Sequence, residues 1–244
     1  MAVVLSLAGL AYFAPPTHSA SDRLPDLRMA QIRDFRVDES TLPGEQLLRF
    51  STTIVNVGRG PFEAHGRRSD TGSQVMDDVA QRIYDDAGAY RDRATDAVMF
   101  YSGDGHAHWH VRDLGRSTLT RKGARRPVGT GIKRGFCFYD NVPFPGTKPS
   151  GYAGCGNDQP DALEVGMGLS VGWGDFYSYR LPDQYINITG LEDGTYRLKA
   201  KADTANWFKE SDEGNNGTWV DLRIAGDSVT PIKYGPSAGK VTGS

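Results

Sequence analysis

Short stretches of alternating apolar and polar residues, bounded by Gly, Pro, Asp or Asn, recur along the whole chain. No window of useful length places its apolar residues at helical spacing, whereas alternation is typical of a half-buried β-strand. The pattern therefore predicts an all-β fold, an antiparallel β-sandwich with long connecting loops and little helix. The strongest strand candidates are Gln46–Val57, Val98–Tyr101, His106–Val111, Gly135–Tyr139, Gln184–Ile188, Thr195–Ala202 and Thr218–Ile224.

Two segments interrupt this pattern. Residues Asp77–Arg93 carry Val79, Ile83 and Tyr84 about one helical turn apart, which predicts a short, marginal helix outside the sandwich. Residues Asn141–Gly166 contain four prolines and many glycines, so their composition predicts a loop. A loop of this length inside a compact domain is more often functional than idle.

Both ends of the chain differ from its middle. An apolar run over Ala2–Ala14, followed by two prolines and small residues, predicts a secretory signal segment over 1–20 and a secreted protein. This run is too short to span a bilayer comfortably, and no second apolar stretch of about twenty residues follows, so we expect no transmembrane segment. The small-residue segment 234–244 is expected to be a disordered tail.

Cysteine content and charge narrow the class further. Cys137 and Cys155 are the only cysteines, and an exported chain with an even count usually pairs them, so we expect one disulfide. The chain has 28 basic and 30 acidic residues, a formal net charge of −2. Its basic residues are scattered and form no stripe, which argues against a nucleic-acid partner.

The most informative motif is the alternating triplet His106, His108 and His110, three of only five histidines in the chain. Alternate residues of an extended segment share a face, so the three imidazoles point the same way. A flat strand would separate the outer two Cβ atoms by about 13 Å, so the segment must bend for all three to reach one ion. Gly103 and Gly105 permit such a bend.

The triplet predicts a transition-metal site, but three imidazoles suit zinc, copper, nickel or non-haem iron equally. A strand face with solvated histidines is the structural alternative, and the clustering of a scarce residue argues against it. Trp109 points to the opposite face and is expected in the core.

Eight fragments between Leu24 and about Ile224 carry a further signal through their common order and spacing. They are LPDL (24–27), LLRF (47–50), GHAHWH (105–110), GIKRGFC (131–137), GLSVG (168–172), QYINIT (184–189), GTYRLK (194–199) and ESDEGNN (210–216). Together they resemble the lysyl oxidase family of copper- and quinone-dependent amine oxidases. The resemblance implies a catalytic domain over residues 21–233.

What the resemblance implies is specific. The three histidines would bind copper, and Lys133 and Tyr177 would cross-link into lysine tyrosylquinone, a cofactor built from the protein itself. Asp175, two residues before that tyrosine, would act as the base that removes the α-proton of the substrate. Composition and spacing alone single out neither Lys133 nor Tyr177. The implied reaction uses molecular oxygen to convert a primary amine, or lysine in a polymer, to an aldehyde, hydrogen peroxide and ammonia.

A second group of oxygen-bearing side chains suits a hard cation instead of copper. Glu210, Asp212, Asn215 and Asn216 lie within seven residues, and this pattern predicts either a structural calcium site or an acidic surface turn. The resemblance favours calcium and adds Asp26 and the main-chain carbonyl of Leu27 as ligands.

Two other classes of protein compete with the oxidase. A cupin-like metalloenzyme would use two of the histidines, but its usual glutamate is missing between Val111 and Ala124. An extracellular β-sandwich for binding or adhesion would use its metals only to stabilise the fold.

Overall fold

The computed structural model describes residues 20–102, 106–144 and 149–241, so all of the expected signal segment except Ala20 lies outside the described residues. The described ranges contain twenty strands and no helix. In chain order the strands are β1 (Asp22–Arg23), β2 (Leu27–Met29), β3 (Arg33–Asp38), β4 (Leu47–Asn56), β5 (Phe62–Arg67), β6 (Val75–Met76), β7 (Asp78–Asp85), β8 (Tyr90–Thr95), β9 (Met99–Ser102), β10 (His108–Arg112), β11 (Gly115–Arg121), β12 (Gly129–Thr130), β13 (Gly135–Phe136), β14 (Val142–Pro143), β15 (Glu164–Leu169), β16 (Trp173–Tyr177), β17 (Tyr185–Asn187), β18 (Gly194–Ala202), β19 (Gly217–Ala225) and β20 (Ser228–Tyr234).

The strands form four antiparallel sheets. Their orders are β1-β7-β5-β15 with β8 beside β7, β13-β10-β9-β6, β12-β11-β18-β19-β20, and β14-β16-β4-β17 with β2 and β3 also paired to β4. Each of the seven strand candidates overlaps an observed strand, and the predicted all-β, antiparallel fold is confirmed.

Strand β4 is the structural centre of the sheet that carries part of the site. All ten of its residues are buried, and its sequence LLRFSTTIVN is rich in β-branched side chains, which pack well in a covered strand. Its partners include β16, whose Asp175 and Tyr177 pair with Ile54 and Thr52. The register of β4 therefore sets the positions of both side chains.

One apolar core joins all four sheets. Burial of this apolar surface is the main favourable contribution to folding. Members from each sheet include Phe62, Val79 and Met167; Met99, Trp109 and Phe136; Leu119, Leu198 and Leu222; and Leu48, Phe50 and Ile54. Trp109 is fully buried, and its indole N–H donates to the carbonyl oxygen of Gln159 at 2.9 Å, which confirms its expected place in the core.

The helix predicted over Asp77–Arg93 is wrong. This segment forms the hairpin of β7 and β8, with its turn at Gly88. Val79, Gln81 and Ile83 are buried on one face, as alternation in a strand requires. A spacing of four residues fits both one helical turn and two strand repeats, so the pair Val79 and Ile83 could not separate the two structures.

The loop and tail expectations are partly corrected. Within Asn141–Gly166 the structure has β14 and the start of β15, and residues 145–148 lie outside the described part. The expected disulfide is present, with the Cα atoms of Cys137 and Cys155 5.8 Å apart. The predicted disorder is wrong for residues 234–241, because the N–H of Ala238 donates to the carbonyl of Met29 and Val241 is buried. No helix among the described residues is long and apolar enough to cross a membrane.

Candidate active site

The three histidine side chains converge on one point at the start of β10. His108 and His110 lie on the strand, and His106 precedes it. The bend required by their spacing occurs at Ala107, whose φ of 41° breaks the extended conformation. One nitrogen from each ring lies within 4.8 Å of one from each of the others. Two nitrogens that share an ion at about 2 Å can be at most about 4 Å apart, so small ring rotations would complete a three-imidazole site.

The backbone of β13 makes room for the buried His110. A Cβ atom on Gly135 would lie 2.8 Å from Cγ of the His110 ring, closer than carbon atoms can pack. His110 is 4% exposed, so its ring has little freedom to move away. The missing side chain at Gly135 therefore fixes the position of one candidate ligand.

Lys133 and Tyr177, 44 residues apart in the sequence, lie in contact. The lysine follows β12, and its Nζ lies 4.8 Å from the centre of the Tyr177 ring. The chain around it is held on both sides, because Ile132 donates its N–H to Tyr185 and Arg134 accepts the N–H of Asp113.

Asp175 and Tyr177 alternate on β16 and so share a face. The Tyr177 hydroxyl donates to the Asp175 carboxylate, and its oxygen lies 3.2 Å from the carbonyl oxygen of Cys137. Burial raises the pKa of Asp175 to about 8, although the Tyr177 hydroxyl, the Lys133 charge and the Asn141 amide each lower it. Burial and the neighbouring Asp175 charge raise the pKa of Tyr177. A carboxyl group poised near neutral pH is suited to proton transfer.

All six predicted copper and cofactor residues line one cavity of about 170 Å³, here called the histidine cavity. Its lining is His106, His108, His110, Lys133, Cys137, Tyr139, Asn141, Asp175, Phe176, Tyr177 and Leu181. Tyr139 is 36% exposed and lines the cavity at the protein surface. A cavity of this size can hold a small linear group such as an alkyl amine.

Sequence analysis missed two residues of this site. The Asn141 amide donates to Asp175 at 2.7 Å, and its oxygen accepts the N–H of Phe176 at 2.7 Å. The Asp183 carboxylate lies 3.2 Å from Nζ of Lys133. Neither residue belongs to a recognisable motif, and their partners lie 34 and 50 residues away in the sequence, so no local signal could have identified them.

The predicted calcium ligands Asp26, Leu27, Glu210, Asp212, Asn215 and Asn216 also come together, and two further acids, Asp203 and Glu213, lie beside them. These eight residues are here called the acidic cluster. The Glu210 carboxylate accepts the N–H of Leu27 and the amide of Asn216. The Asn215 amide donates to Asp26 at 3.3 Å and to Asp212 at 3.0 Å. The contact of Leu27 with Glu210 is thus made by its N–H and not by its carbonyl oxygen.

Two acids of the acidic cluster were not predicted. Asp203, Glu210 and Glu213 each place a carboxylate oxygen within 4.8 Å of the others. Burial raises the pKa of Glu210 to about 8, and it also raises the pKa of Asp26 and of Asp203. Oxygen atoms of Asp26, Asn215 and Asn216 are buried without a hydrogen-bond donor among the described residues. Such oxygens suit a hard cation.

Comparison with known proteins identifies relatives of this chain. The lysyl oxidase family model matches residues 90–233, more than half of the chain. Protein-lysine 6-oxidase of Gallus gallus is 31% identical over 122 residues, and that of Homo sapiens 30% over 122 residues. Each match covers 50% of this chain but only 27% of the relative. The family match includes the histidine cavity, and the chain belongs to the lysyl oxidase family.

Proposed function

We propose that this protein is a copper- and quinone-dependent oxidase that converts primary amines to aldehydes, with release of hydrogen peroxide and ammonia. The observation that carries the proposal is the contact of Lys133 with the Tyr177 ring inside the cavity that the three histidines line. A lysine and a tyrosine that only supported the fold would not need to meet beside three converging imidazoles.

The donor set fits copper. Neutral imidazoles are good copper ligands, and His106, His108 and His110 supply three without a charged group among them. Bound copper would activate oxygen for oxidation of the Tyr177 ring. Lys133 and Tyr177 would supply the two halves of lysine tyrosylquinone, which offers an electrophilic carbonyl to a primary amine.

Asp175 is the proposed base for removal of the substrate α-proton. It is 1% exposed, lines the histidine cavity and has its pKa raised by burial to about 8, so it exchanges protons near neutral pH. Asn141 would hold the carboxylate in place through its 2.7 Å hydrogen bond.

The substrate proposal follows from the family and the cavity. The names of the relatives specify oxidation of lysine in protein, so we propose primary amines, including lysine side chains of a polymer, as substrates. The polymer itself is left open, because the match spans about a quarter of those relatives.

We also propose that the chain is secreted after removal of residues 1–20, and that residues 21–233 form its catalytic domain. The disulfide between Cys137 and Cys155 supports an oxidising compartment. The acidic cluster is proposed to bind calcium, because its buried carboxylates need either protons or a cation. An ion there would join Asp26 near the start of the domain to Glu210 near its end.

To test this proposal, the full chain is expressed with copper under air. Its metal content, its quinone redox staining and the hydrogen peroxide released when a primary amine is added are then measured. Lys133→Met and Tyr177→Phe are each expected to abolish the stain while copper is retained. Lys199→Met and Tyr90→Phe, at exposed positions on β18 and β8, are matched controls that keep it. A colourless protein that prefers zinc would favour the adhesion module, and a stain retained by either cavity variant would refute the cofactor assignment.

A further inference from the structure

The lysine of the proposed cofactor has an acidic partner of its own. Nζ of Lys133 lies 3.2 Å from Oδ2 of Asp183 and 4.8 Å from the centre of the Tyr177 ring. The Lys133 side chain is only 10% exposed, and a charge that is largely removed from water requires a counter-charge. Asp183 supplies that counter-charge from the turn before β17.

One oxygen of the Asp183 carboxylate, Oδ2, accepts a hydrogen bond from Nζ of Lys133. Its other oxygen, Oδ1, is buried and has no hydrogen-bond donor among the described residues. The turn that carries it is held by the N–H of Gln184, which donates to the carbonyl of Leu181, and by β17, which pairs with β4. Asp183 is therefore fixed beside Nζ by the same strand that fixes Tyr177.

Asp175, the acid that lines the histidine cavity, contacts a different atom. Both oxygens of Asp175 are engaged, one by the Tyr177 hydroxyl and the other by the Asn141 amide. Asp175 thus lies at the hydroxyl of the ring, whereas Asp183 lies at the lysine nitrogen. An ammonium group has no lone pair, so Lys133 must lose a proton before its nitrogen can form a bond.

We propose that Asp183 positions Lys133 over the Tyr177 ring and takes its proton during formation of the cofactor. This inference rests on the proposed function. The ammonium of Lys133 transfers one proton to the Asp183 carboxylate, and the neutral amine bonds through its lone pair to a carbon of the ring that oxygen has already oxidised to a quinone. The N–H proton and the proton of that ring carbon move to the two ring oxygens. Oxygen then removes two electrons and two protons from the ring, restores the quinone and becomes hydrogen peroxide.

The first test measures formation of the cross-link itself. Copper is added under air to the copper-free full chain, and mass spectrometry follows the peptide that joins Lys133 to Tyr177. Asp183→Asn is expected to slow its appearance about 100-fold, at the lower end of the range for proton transfer by a positioned side chain. Asp86→Asn is the matched control, since Asp86 also lies 3.2 Å from its cationic partner, Arg59, but on the exposed surface. Copper content is measured in every sample.

A second test needs neither copper nor oxygen. In the copper-free chain, a dilute acetylating reagent competes for Lys133 and for the exposed Lys199, and the ratio of the two products is measured. Asp183→Asn is expected to raise this ratio although it slows the cross-link, because loss of the ion pair frees the amine for a reagent in solution but no longer holds its nitrogen beside the Tyr177 ring. An unchanged ratio in a folded variant would contradict the ion pair.

A third variant separates proton transfer from a purely structural role. Asp183→Ala is expected to recover its cross-linking rate as formate is added, because the small acid can occupy the space of the missing carboxylate, whose side chain is 31% exposed. If formate gave no recovery, or if Asp183→Asn cross-linked at the wild-type rate, the role of Asp183 would be refuted while the proposed function stood. If the wild-type chain with bound copper formed no cross-link, the proposed function would fail first.

Discussion

The histidine cavity and the acidic cluster both gather candidate metal ligands, but they do so from opposite kinds of sequence. The three candidate ligands of the histidine cavity lie within five residues, and a single bend at Ala107 brings them together. The acidic cluster joins Asp26 to residues of the 203–216 segment, and only the completed fold brings them into contact.

The two regions also differ in what occupies their ligand atoms. An imidazole binds a metal ion in its neutral form, so three histidine ligands would add no charge of their own to the histidine cavity. The acidic cluster places several carboxylates close together, and it compensates with protons and with hydrogen bonds from the amides of Asn215 and Asn216. A cation must displace these protons, so its binding depends on pH in a way that is built into the cluster.

The largest expected effect is a loss of copper affinity at the histidine cavity, which leaves the acidic cluster unchanged. His108→Ala removes one of three ligands, and we expect copper affinity to fall at least about 100-fold, beyond the usual cost of a lost outer-shell contact. Competition with a chelator of known affinity measures it. His65→Ala is the control, because His65 pairs with Glu63 outside the cavity. Equal copper affinity in both variants would exclude His108 as a ligand. Stabilisation by calcium should be the same in both variants as in the wild type, because the acidic cluster is unchanged.

A smaller change tests whether the position of the ligand matters as much as its identity. In Gly135→Ala the added Cβ would displace the His110 ring, and we expect copper affinity to fall roughly 10-fold with all three histidines present. Gly217→Ala on β19, where the nearest atom would lie at 3.7 Å, is the matched control. Unchanged copper affinity in Gly135→Ala would show that the ring can move without loss of the site.

The comparison also shows how far each region could be predicted from sequence. Alternation placed the three histidines on one face, because that depends only on local backbone geometry. The position of the bend could not be foreseen, since a positive φ at the non-glycine residue Ala107 follows from surrounding packing.

Contacts between distant segments set the limit of such prediction. The pairing of Lys133 with Tyr177 came from the resemblance to a family, and no spacing rule would have found it. Asp183, Asn141 and Asp203 lie beside partners that the fold brings to them, so these contacts could be recognised only with the structure. The wrong prediction over Asp77–Arg93 has a different origin. The local pattern there fits both a helix and a strand, and pairing within the sheet selects the strand.

The next prediction concerns stability and the acidic cluster. The folded pKa of Glu210 is about 8, above its ordinary value of 4.5, so between these values the folded state keeps a proton that the unfolded state has released. Without calcium, stability should therefore fall as pH rises through this window, at up to about 1.4 kcal/mol per pH unit. Calcium should reverse this loss and raise the Tm near pH 8 by several degrees.

Thermal unfolding with and without calcium, from pH 5 to pH 8, measures both effects. Asp175 contributes a pH dependence of the same sign, so the comparison is made between wild type and Glu210→Gln. The variant should lose the Glu210 part of the slope and most of the calcium effect. Equal calcium stabilisation of both proteins would rule out Glu210 as a ligand and would remove the contrast between the two regions.

The smallest expected effect concerns the histidine cavity, where the Asn141 amide donates a hydrogen bond to the Asp175 carboxylate. The Asn141 hydrogen bond lowers the pKa of Asp175, so Asn141→Ala should raise that pKa above about 8. The proposed base Asp175 could accept the substrate proton only in its deprotonated form, so the rising limb of kcat/KM against pH should move to higher pH. Activity near pH 7 should then fall a few-fold and recover at alkaline pH, with copper content unchanged. Asn187→Ala, on the exposed end of β17, is the control. A uniform loss at every pH would mean that Asn141 supports the fold of the site without tuning its base.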